Sequence, residues 1–270
     1  MSYLIKRNET LWHGKFTTFP EDFIIHAIST RLGGYSESPF DSLNLGLHVG
    51  DNTENVLANR QKFIKSLGFE LEDIVTPNQI HGDKIFVVNE NHRGRGSKDY
   101  ADSIAETDAL ITNTPNLPLM LCFADCVPIM FVDTENHAVG LAHGGWKGTL
   151  NKIAAKTFLA MNKNFGTRAE NCLVGIAPSI GSCCYEIGDE VKNACAKAFP
   201  NNPELIINRG GKNYLDLWQA NKVQLLEIGL PEENIDVASE CTCCNANFYY
   251  SYRAAHGKTG RIAAVLGIRI

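Results

Sequence analysis

Residues 119–149 read LMLCFADCVPIMFVDTENHAVGLAHGGWKGT and contain three short apolar runs in close succession. The runs cover residues 119–123, 128–133 and 138–142, and each has the length and composition of a buried strand. Asp125 and Cys126 separate the first run from the second, and the third run ends at His143, where glycines lead into a helical pattern. This stretch therefore predicts neighbouring strands with chemically capable side chains at their ends, where sheet proteins tend to assemble their sites.

Helical spacing recurs outside this stretch. A first helix has Thr53 as its candidate N-cap and Gly68 as its stop, a second follows an apolar stripe over residues 150–161, and a third lies between Asp216 and Gly229. Further strands are predicted at residues 84–88, 172–176, 248–252 and 262–268. Because the order is not a regular βαβ repeat, we predict an α/β fold and not a doubly wound Rossmann fold. We expect a single layered domain over residues 1–270, with mixed β-sheets flanked by about four helices.

The composition is that of a folded globular protein and excludes several classes of partner. Of the 270 residues, 44% are apolar and 20% are charged, and the formal net charge is −5. This mild acidity disfavours a nucleic-acid or anionic-membrane partner, since both select a basic surface. The apolar runs are shorter than the ~20 residues of a spanning helix, and the N-terminus lacks the apolar core of a signal peptide. We therefore expect a cytoplasmic protein, with its oligomeric state left open.

The cysteines also favour a cytoplasmic location. The count of nine is odd, and the positions do not resemble a disulfide framework. In a reducing compartment these cysteines are buried small side chains, metal ligands or a nucleophile. Cys183 and Cys184 are vicinal, as are Cys243 and Cys244, but Cys241-x-Cys243 has no matching second pair at finger spacing, which disfavours a structural zinc site.

Three residues combine ligand chemistry with positions near strand ends: His81, Cys126 and His143. Imidazole and thiolate are preferred zinc donors, and three protein ligands with an open fourth position are typical of catalytic zinc. Spacing alone equally allows two ordinary turn histidines and a buried cysteine. A nucleophilic pair of Cys126 with His143 is a third interpretation, because a histidine lowers the pKa of a neighbouring thiol.

Two glycine turns carry a cation. Residues 143–149, HGGWKGT, open a helix where free N–H groups and Lys147 favour an anion, although the spacing is not that of a P-loop. The alternative is a plain helix-initiating turn. Arg31 begins the second turn, RLGG, which is equally compatible with an ordinary surface turn.

Eight motifs together resemble one family, the multicopper polyphenol oxidoreductase or laccase-domain family of purine nucleoside phosphorylase type. The resemblance runs from about Thr30 to the C-terminus. The motifs occur at residues 31–34 (RLGG), 44–51 (NLGLHVGD), 79–81 (QIH), 107–110 (TDAL), 124–128 (ADCVP), 143–148 (HGGWKG), 177–186 (APSIGSCCYE) and 251–253 (SYR).

The resemblance implies a layered α/β sandwich and a zinc site formed by His81, Cys126 and His143. It also implies phosphorolysis of adenosine, inosine, guanosine and methylthioadenosine, together with deamination of adenosine. This chain departs from the family's usual HAGWRG, because glycine stands at position 144 and lysine at position 147. Lysine keeps the charge of arginine but loses its bidentate grip on phosphate.

Residue roles follow as hypotheses. Phosphate is assigned to Arg31 and Lys147, and proton transfer beside the metal to Asp125. Asn44 and Gln79, which belong to the matching motifs, are assigned to substrate binding. The partners are then purine nucleosides and phosphate.

Two other activities remain as alternatives. A peptidoglycan-editing amidase would use Cys126 as its nucleophile or as a zinc ligand. A polyphenol oxidase would use copper in place of zinc, but one set of two histidines and a cysteine is short of the several sites that a four-electron oxidase needs.

Overall fold

The order of strands and helices along the chain is irregular, as the sequence predicts. The computed structural model describes residues 3–8 and 11–269. Met1, Ser2, Glu9, Thr10 and Ile270, which fall within the predicted domain, lie outside the described residues. The strands are β1 Tyr3–Asn8, β2 Leu11–Phe16, β3 Ile24–Ser29, β4 Ile85–Val87, β5 Ala109–Thr112, β6 Leu119–Phe123, β7 Val127–Asp133, β8 Ala138–Gly144, β9 Cys172–Ile176, β10 Glu186–Ile187, β11 Ile206–Arg209, β12 Lys212–Leu215, β13 Ile235–Val237 and β14 Ile262–Ile268.

The α-helices are fewer and flank the sheets. They are α1 Thr53–Ser66, α2 Trp146–Leu150, α3 Ile153–Phe165, α4 Asp189–Ala198 and α5 Leu217–Glu227. No helix in the described ranges is both long enough and apolar enough to cross a membrane.

Two large sheets carry the architecture. One has five antiparallel strands in the order β1-β2-β3-β14-β6. The other has six strands in the order β13-β9-β7-β8-β5-β4, with parallel pairs at its two edges and antiparallel pairs between them. A small antiparallel sheet, β10-β12-β11, completes the fold. This mixed-sheet α/β arrangement confirms the predicted fold class.

Alternating side chains on the central strands show how the layers stack. On β14, Leu266 faces the interior between the two large sheets, whereas Val265 faces the side covered by Phe63 of α1. On β7, Met130 points into the same interior and Phe131 points towards α3 and α5. Strands buried on both faces read as continuous apolar runs. Each fully buried side chain of this size contributes about 1.5–3 kcal/mol to stability.

The predicted strand at residues 248–252 is wrong, because this segment forms turns. The amide nitrogens of Phe248 and Tyr249 both donate to the carbonyl oxygen of Asn245, at 2.8 and 3.0 Å. The rings of Tyr249 and Tyr250 are fully buried. Their aromatic character therefore reflects burial of the side chains and not extension of the backbone.

Two of the predicted helices differ from those in the structure. Asn52, not Thr53, is the N-cap of α1, because its side-chain oxygen accepts from the amides of Glu54 and Asn55 at 2.8 and 3.2 Å. The apolar stripe over residues 150–161 is divided between α2 and α3, since Lys152 between them adopts a left-handed conformation with φ of 64°. The third predicted helix is confirmed as α5, which has Asp216 as its N-cap.

Candidate metal centre and its cavity

His81, Cys126 and His143 converge although they come from three separate segments. Their donor atoms all lie within 4.8 Å of one another, and the rings of the two histidines are 4.8 Å apart in an edge-on arrangement. His81 lies in the loop before β4, Cys126 in the turn between β6 and β7, and His143 near the end of β8. The pairing of β7 with β8 sets Pro128 opposite His143 and so brings the cysteine-bearing turn beside this histidine.

The Cys126 turn depends on an unusual backbone conformation at Asp125. This residue has φ of 84°, in the left-handed region that few side chains other than glycine adopt readily. Its carboxylate accepts hydrogen bonds from the Thr242 hydroxyl and the Arg253 amide, both at 2.7 Å. These two contacts stabilise the turn and tie it to the late part of the chain.

The carboxylate of Asp108 positions both histidines of the cluster through hydrogen bonds. The carboxylate lies 2.8 Å from Nδ1 of His143 and accepts from the backbone amides of Ile80, His81 and Gly82 at 3.2, 3.0 and 2.7 Å. With Nδ1 engaged, Nε2 of His143 is the nitrogen that can bind a metal. Asp108 is not among the predicted site residues, although its position in the TDAL motif, immediately before the buried strand β5, was an available signal.

Electrostatics favour the ionised form of the cysteine. Burial raises the pKa of Cys126, but the nearby His143 and His81 outweigh it and bring the pKa to about 6. Burial lowers the pKa of His143, but the Cys126 thiolate and the Asp108 carboxylate raise it to about 9. At neutral pH the pair therefore holds a thiolate, which is the form of cysteine that binds metals and attacks electrophiles.

The donor set fits a transition metal. Two imidazoles and one thiolate match the preferences of zinc, and three ligands leave one position open towards solvent or substrate. Gly145 leaves the space beside the donors clear: a Cβ there would lie 3.0 Å from Cδ2 of His81 and 3.4 Å from Sγ of Cys126. The residues present thus form a possible metal site whose fourth position is open.

A cavity of about 460 Å³ adjoins the three donors. Its lining includes the three predicted ligands and two other predicted site residues, Asp125 and Gln79. The amide of Gln79 also pairs with the backbone of Cys122 in both directions, at 2.9 Å for each bond. The other lining residues are His48, Cys122, Ala124, Trp146, Ile180, Tyr185, Leu217, Tyr252, Arg253 and Arg261.

Three predicted substrate-binding residues lie outside this lining. Arg31 forms an ion pair with Asp41 at 3.0 Å. Asn44 is fully buried, and its side-chain oxygen accepts from the amide of Arg261 at 2.8 Å. Lys147 is exposed, with its ammonium 5.5 Å from the ring centre of Trp146.

Two arginines that were not predicted as site residues, Arg253 and Arg261, line the cavity together with His48. Burial lowers the pKa of Arg261, and no carboxylate in the described ranges forms an ion pair with it. Burial, with Arg261 and Arg60 nearby, also lowers the pKa of His48 to about 4. His48 and Arg253 were both inside matching motifs, so position in a motif was the available signal for them. The two arginines therefore make part of the cavity lining electropositive, while His48 is a neutral imidazole at neutral pH.

Together the fold and the site define a layered α/β protein in which two histidines and one cysteine form a candidate metal site at the wall of a cavity. The chain belongs to the family described as multi-copper polyphenol oxidoreductase laccase, whose model matches residues 25–269.

Similar proteins agree with this assignment over most of their length. The chain is 39% identical to purine nucleoside phosphorylase YlmD of Geobacillus stearothermophilus, over 91% of this chain and 90% of the relative. It is 34% identical to a purine nucleoside phosphorylase of Bacteroides thetaiotaomicron, over 88% of this chain and 89% of that protein. The crystal structure of YlmD from Geobacillus stearothermophilus superposes with a TM-score of 0.94, at 36% identity, covering 98% of this chain and 99% of that one.

Proposed function

We propose that the chain is a zinc-dependent purine nucleoside phosphorylase acting on adenosine, inosine, guanosine and methylthioadenosine, with accompanying adenosine deaminase activity. The observation that carries the proposal is the cavity itself, whose lining combines the His81–Cys126–His143 donor cluster with two arginines, Arg253 and Arg261. Its volume lies within the usual range for small-molecule sites, about 300–1,000 Å³. The names of the relatives support the same activity.

Phosphate is best accommodated beside Arg261 and His48. The Arg261 guanidinium donates to the carbonyl oxygens of Thr259 and Gly260 at 2.9 Å, but among the described residues no carboxylate forms an ion pair with it. Such a partly buried charge favours an anionic ligand, because ion pairing would offset its cost of burial. Asn44 contributes as a positioning residue, since it holds the Arg261 backbone. Arg31 is occupied by Asp41, so we assign it to the same supporting shell.

The purine has an aromatic surface available at the cavity. Tyr252 lines it and is 53% exposed, so part of its ring is accessible to a ligand. Trp146 and Tyr185 add further aromatic surface. We propose that the base stacks against this group, because every purine offers a π-face and stacking tolerates different substituents. This would allow several nucleosides to be accepted.

In phosphorolysis the glycosidic C1′–N9 bond breaks, a C1′–oxygen bond to phosphate forms, and the purine leaves with a proton. We propose that Arg261 and His48 orient the phosphate. We further propose that Asp125, which neighbours Cys126 in the chain, transfers the proton that the departing purine takes up. Bound zinc would supply Lewis-acid polarisation and would lower the pKa of water for the hydrolytic deamination of adenosine to inosine and ammonia. Asp108 keeps His143 and the His81 loop in place throughout.

An amidase is the second candidate, and the ionised cysteine favours it. Cys126, His143 and Asp108 are connected in the order nucleophile, base and orienting carboxylate. This is the arrangement of a nucleophilic triad. Such an enzyme would form an acyl-cysteine intermediate and would need no phosphate, which separates it from a phosphorylase.

The decisive experiment is the release of hypoxanthine and ribose 1-phosphate from inosine by the purified protein. We expect both products only when phosphate is present, in air and under nitrogen alike, and we expect loss of activity in a strong chelator with recovery on adding Zn²⁺. Cleavage of a peptidoglycan amide without inosine cleavage would support the amidase. Phenol oxidation that requires copper and oxygen would support the oxidase.

Comparing Arg261 with Lys147 tests the phosphate site. Arg261→Gln removes a charge-assisted contact of about 1.5–3 kcal/mol, so KM for phosphate should rise by about ten- to a hundredfold. KM for inosine and the deamination of adenosine should change little. Lys147→Ala is the matched control, because this exposed ammonium lies outside the cavity lining. If Lys147→Ala alone raised KM for phosphate, phosphate would bind at Lys147 and not at Arg261.

The proposed cytoplasmic location fits the state of the cysteines. All nine are free thiols, which persist in a reducing compartment.

A further inference from the structure

A second cluster of metal-binding side chains lies outside the site described above. The sulfur atoms of Cys183, Cys184, Cys241 and Cys244 all lie within 4.8 Å of one another. Sγ of Cys244 is 3.5 Å from that of Cys183 and 3.4 Å from that of Cys184. Four sulfurs bound to one tetrahedral zinc at about 2.3 Å lie about 3.8 Å apart, close to these separations. The distances far exceed the ~2.05 Å of a disulfide bond.

Two turns bring the cysteines together. Residues 181–185 form the first, in which the amides of Cys184 and Tyr185 both donate to the Gly181 carbonyl at 2.9 and 3.0 Å. Residues 241–245 form the second, and a bridge between Ser179 and Cys241 aligns the two segments side by side. The relevant spacing in the second turn is Cys241-x-x-Cys244, a ligand spacing common in structural zinc sites. Cys243, which the sequence pattern pairs with Cys241, is not one of the four.

Hydrogen bonds favour negative charge at one of the four sulfur atoms, that of Cys241, whereas burial and the neighbouring cysteines raise the pKa of Cys183 and Cys184. The amides of Gly181 and Cys244 donate to Sγ of Cys241 at 3.3 and 3.5 Å. Arg253 donates to the Cys184 carbonyl at 3.1 Å, and Arg209 donates to the Ser182 carbonyl, so two cations stand beside the cluster. Four thiols that bind one divalent ion release four protons and leave a net charge of −2. Backbone N–H groups and guanidinium groups stabilise such a charge.

From this geometry we propose a second metal site, a tetrathiolate site for Zn²⁺ formed by Cys183, Cys184, Cys241 and Cys244. Four protein ligands close the coordination sphere, so the ion has a structural role. The site shares no ligand with the His81–Cys126–His143 cluster, and the proposal does not rest on the nucleoside chemistry.

The position of the second site connects it to the cavity. Ile180 precedes the first turn and Tyr185 is its last residue, and both side chains line the cavity. Thr242, in the second turn, donates to the Asp125 carboxylate at 2.7 Å. An ion that joins the two turns would therefore hold one wall of the cavity against the turn that carries Cys126.

Zinc stoichiometry in variants tests the proposal. Protein purified with a thiol reductant should contain two zinc ions per chain, one for each cluster. Cys126→Ala should retain one, and so should the double variant Cys184→Ser/Cys244→Ser, whereas the combination should retain none. Cys243→Ser is the matched control and should keep both ions. A single ion in the wild type that disappears in Cys126→Ala would overturn the second site.

Two measurements keep the test valid if the double variant fails to fold. Co²⁺ loaded into Cys126→Ala should give the intense sulfur-to-metal charge-transfer and tetrahedral ligand-field bands of a tetrathiolate, and their absence would contradict the proposal. Wild-type protein denatured in chelator without reductant should show all nine thiols of the sequence as reactive. Two fewer would mean that the cluster forms a disulfide and not a zinc site.

Discussion

At the scale of single residues, Asp108 has the largest influence on the candidate metal centre. Its one carboxylate holds the His143 ring and three consecutive amides of the His81 loop. Asp108→Asn removes the negative charge that makes His143 more basic and offers a donor where only acceptors fit. We expect zinc affinity to fall by about ten- to a hundredfold, the usual effect of losing such a partner. Competition with a chromophoric chelator measures the change.

Asp133→Asn is the control for this variant. Asp133 is equally buried and lies at the end of β7 in the same sheet, but its carboxylate accepts from the amides of Glu135 and Asn136, in the loop that follows that strand. It should lower stability without changing zinc affinity. Equal losses of affinity in the two variants would show that general destabilisation, and not the His143 contact, weakens the site.

Side-chain chemistry explains which site residues could be predicted from sequence. His81, Cys126 and His143 carry ligand atoms that identify them wherever the fold places them, and the family resemblance selected them from the other histidines and cysteines. Asp108 and Arg261 differ, because their importance lies in partners distant in sequence. The Asp108–His143 contact spans 35 positions, and no local pattern reports such a contact.

At the scale of secondary structure, strand β3 contains a histidine that should make stability depend on pH. His26 is 1% exposed, and its Nε2 accepts from the amide of Phe16 at 2.9 Å. Burial, with Lys15 nearby, lowers the pKa of His26 from 6.5 to about 3. As pH falls below 6.5, the unfolded chain gains a proton that the folded chain does not, so stability present above pH 6.5 is lost towards pH 3. The loss approaches about 1.4 kcal/mol per pH unit.

His26→Gln should reduce this slope, because glutamine accepts the same hydrogen bond but does not titrate. The free energy of unfolding in urea, measured from about pH 7 to about pH 4, gives the slope. His48 and His13, whose pKa values burial also lowers, should keep part of the pH dependence. His256→Asn, at an exposed position, should leave the slope as in the wild type. An unchanged slope in His26→Gln would mean that His26 takes up its proton in the folded state.

Secondary structure was predictable where one pattern dominated a segment. Strands β6, β9 and β14 match their predicted bounds, because residues buried on both faces form continuous apolar runs. Strands β1 to β3 were not predicted. Their sequences, YLIKRN, LWHGKF and IIHAIS, mix apolar residues with lysine, histidine and glycine. These strands are defined by their pairing, including the contact of β3 with β14, which lies more than two hundred residues away along the chain.

At the scale of the whole molecule, the metal cluster lies where the chain passes from one large sheet to the other. Strand β6 belongs to the five-stranded sheet and β7 to the six-stranded sheet, and the turn between them carries Cys126. His81 and His143 approach from loops and strands of the six-stranded sheet. Composition and periodicity could predict mixed sheets, but the stacking order and this crossing point depend on long-range pairing that no local window contains.

Metal removal should therefore destabilise the junction of the two sheets. An ion that binds only the folded chain stabilises it by about 2.7 kcal/mol at a hundred times its dissociation constant. For a chain of this size that corresponds to a decrease in Tm of about 5–10 °C on chelation. The comparison should be made in Cys184→Ser/Cys244→Ser, so that only the His81–Cys126–His143 cluster binds zinc.

Hydrogen exchange locates the effect. Chelation should accelerate exchange in residues 79–82, 124–127 and 143–146, which carry the ligands and their turns. Exchange in β1 and in the β10-β12-β11 sheet should be unchanged, because these elements lie away from the junction. Zn²⁺ added back should restore both Tm and protection, whereas Mg²⁺ should restore neither, since it prefers oxygen ligands. If Tm fell while exchange rose only in the β10-β12-β11 sheet, zinc would be acting elsewhere and the junction would not be its structural site.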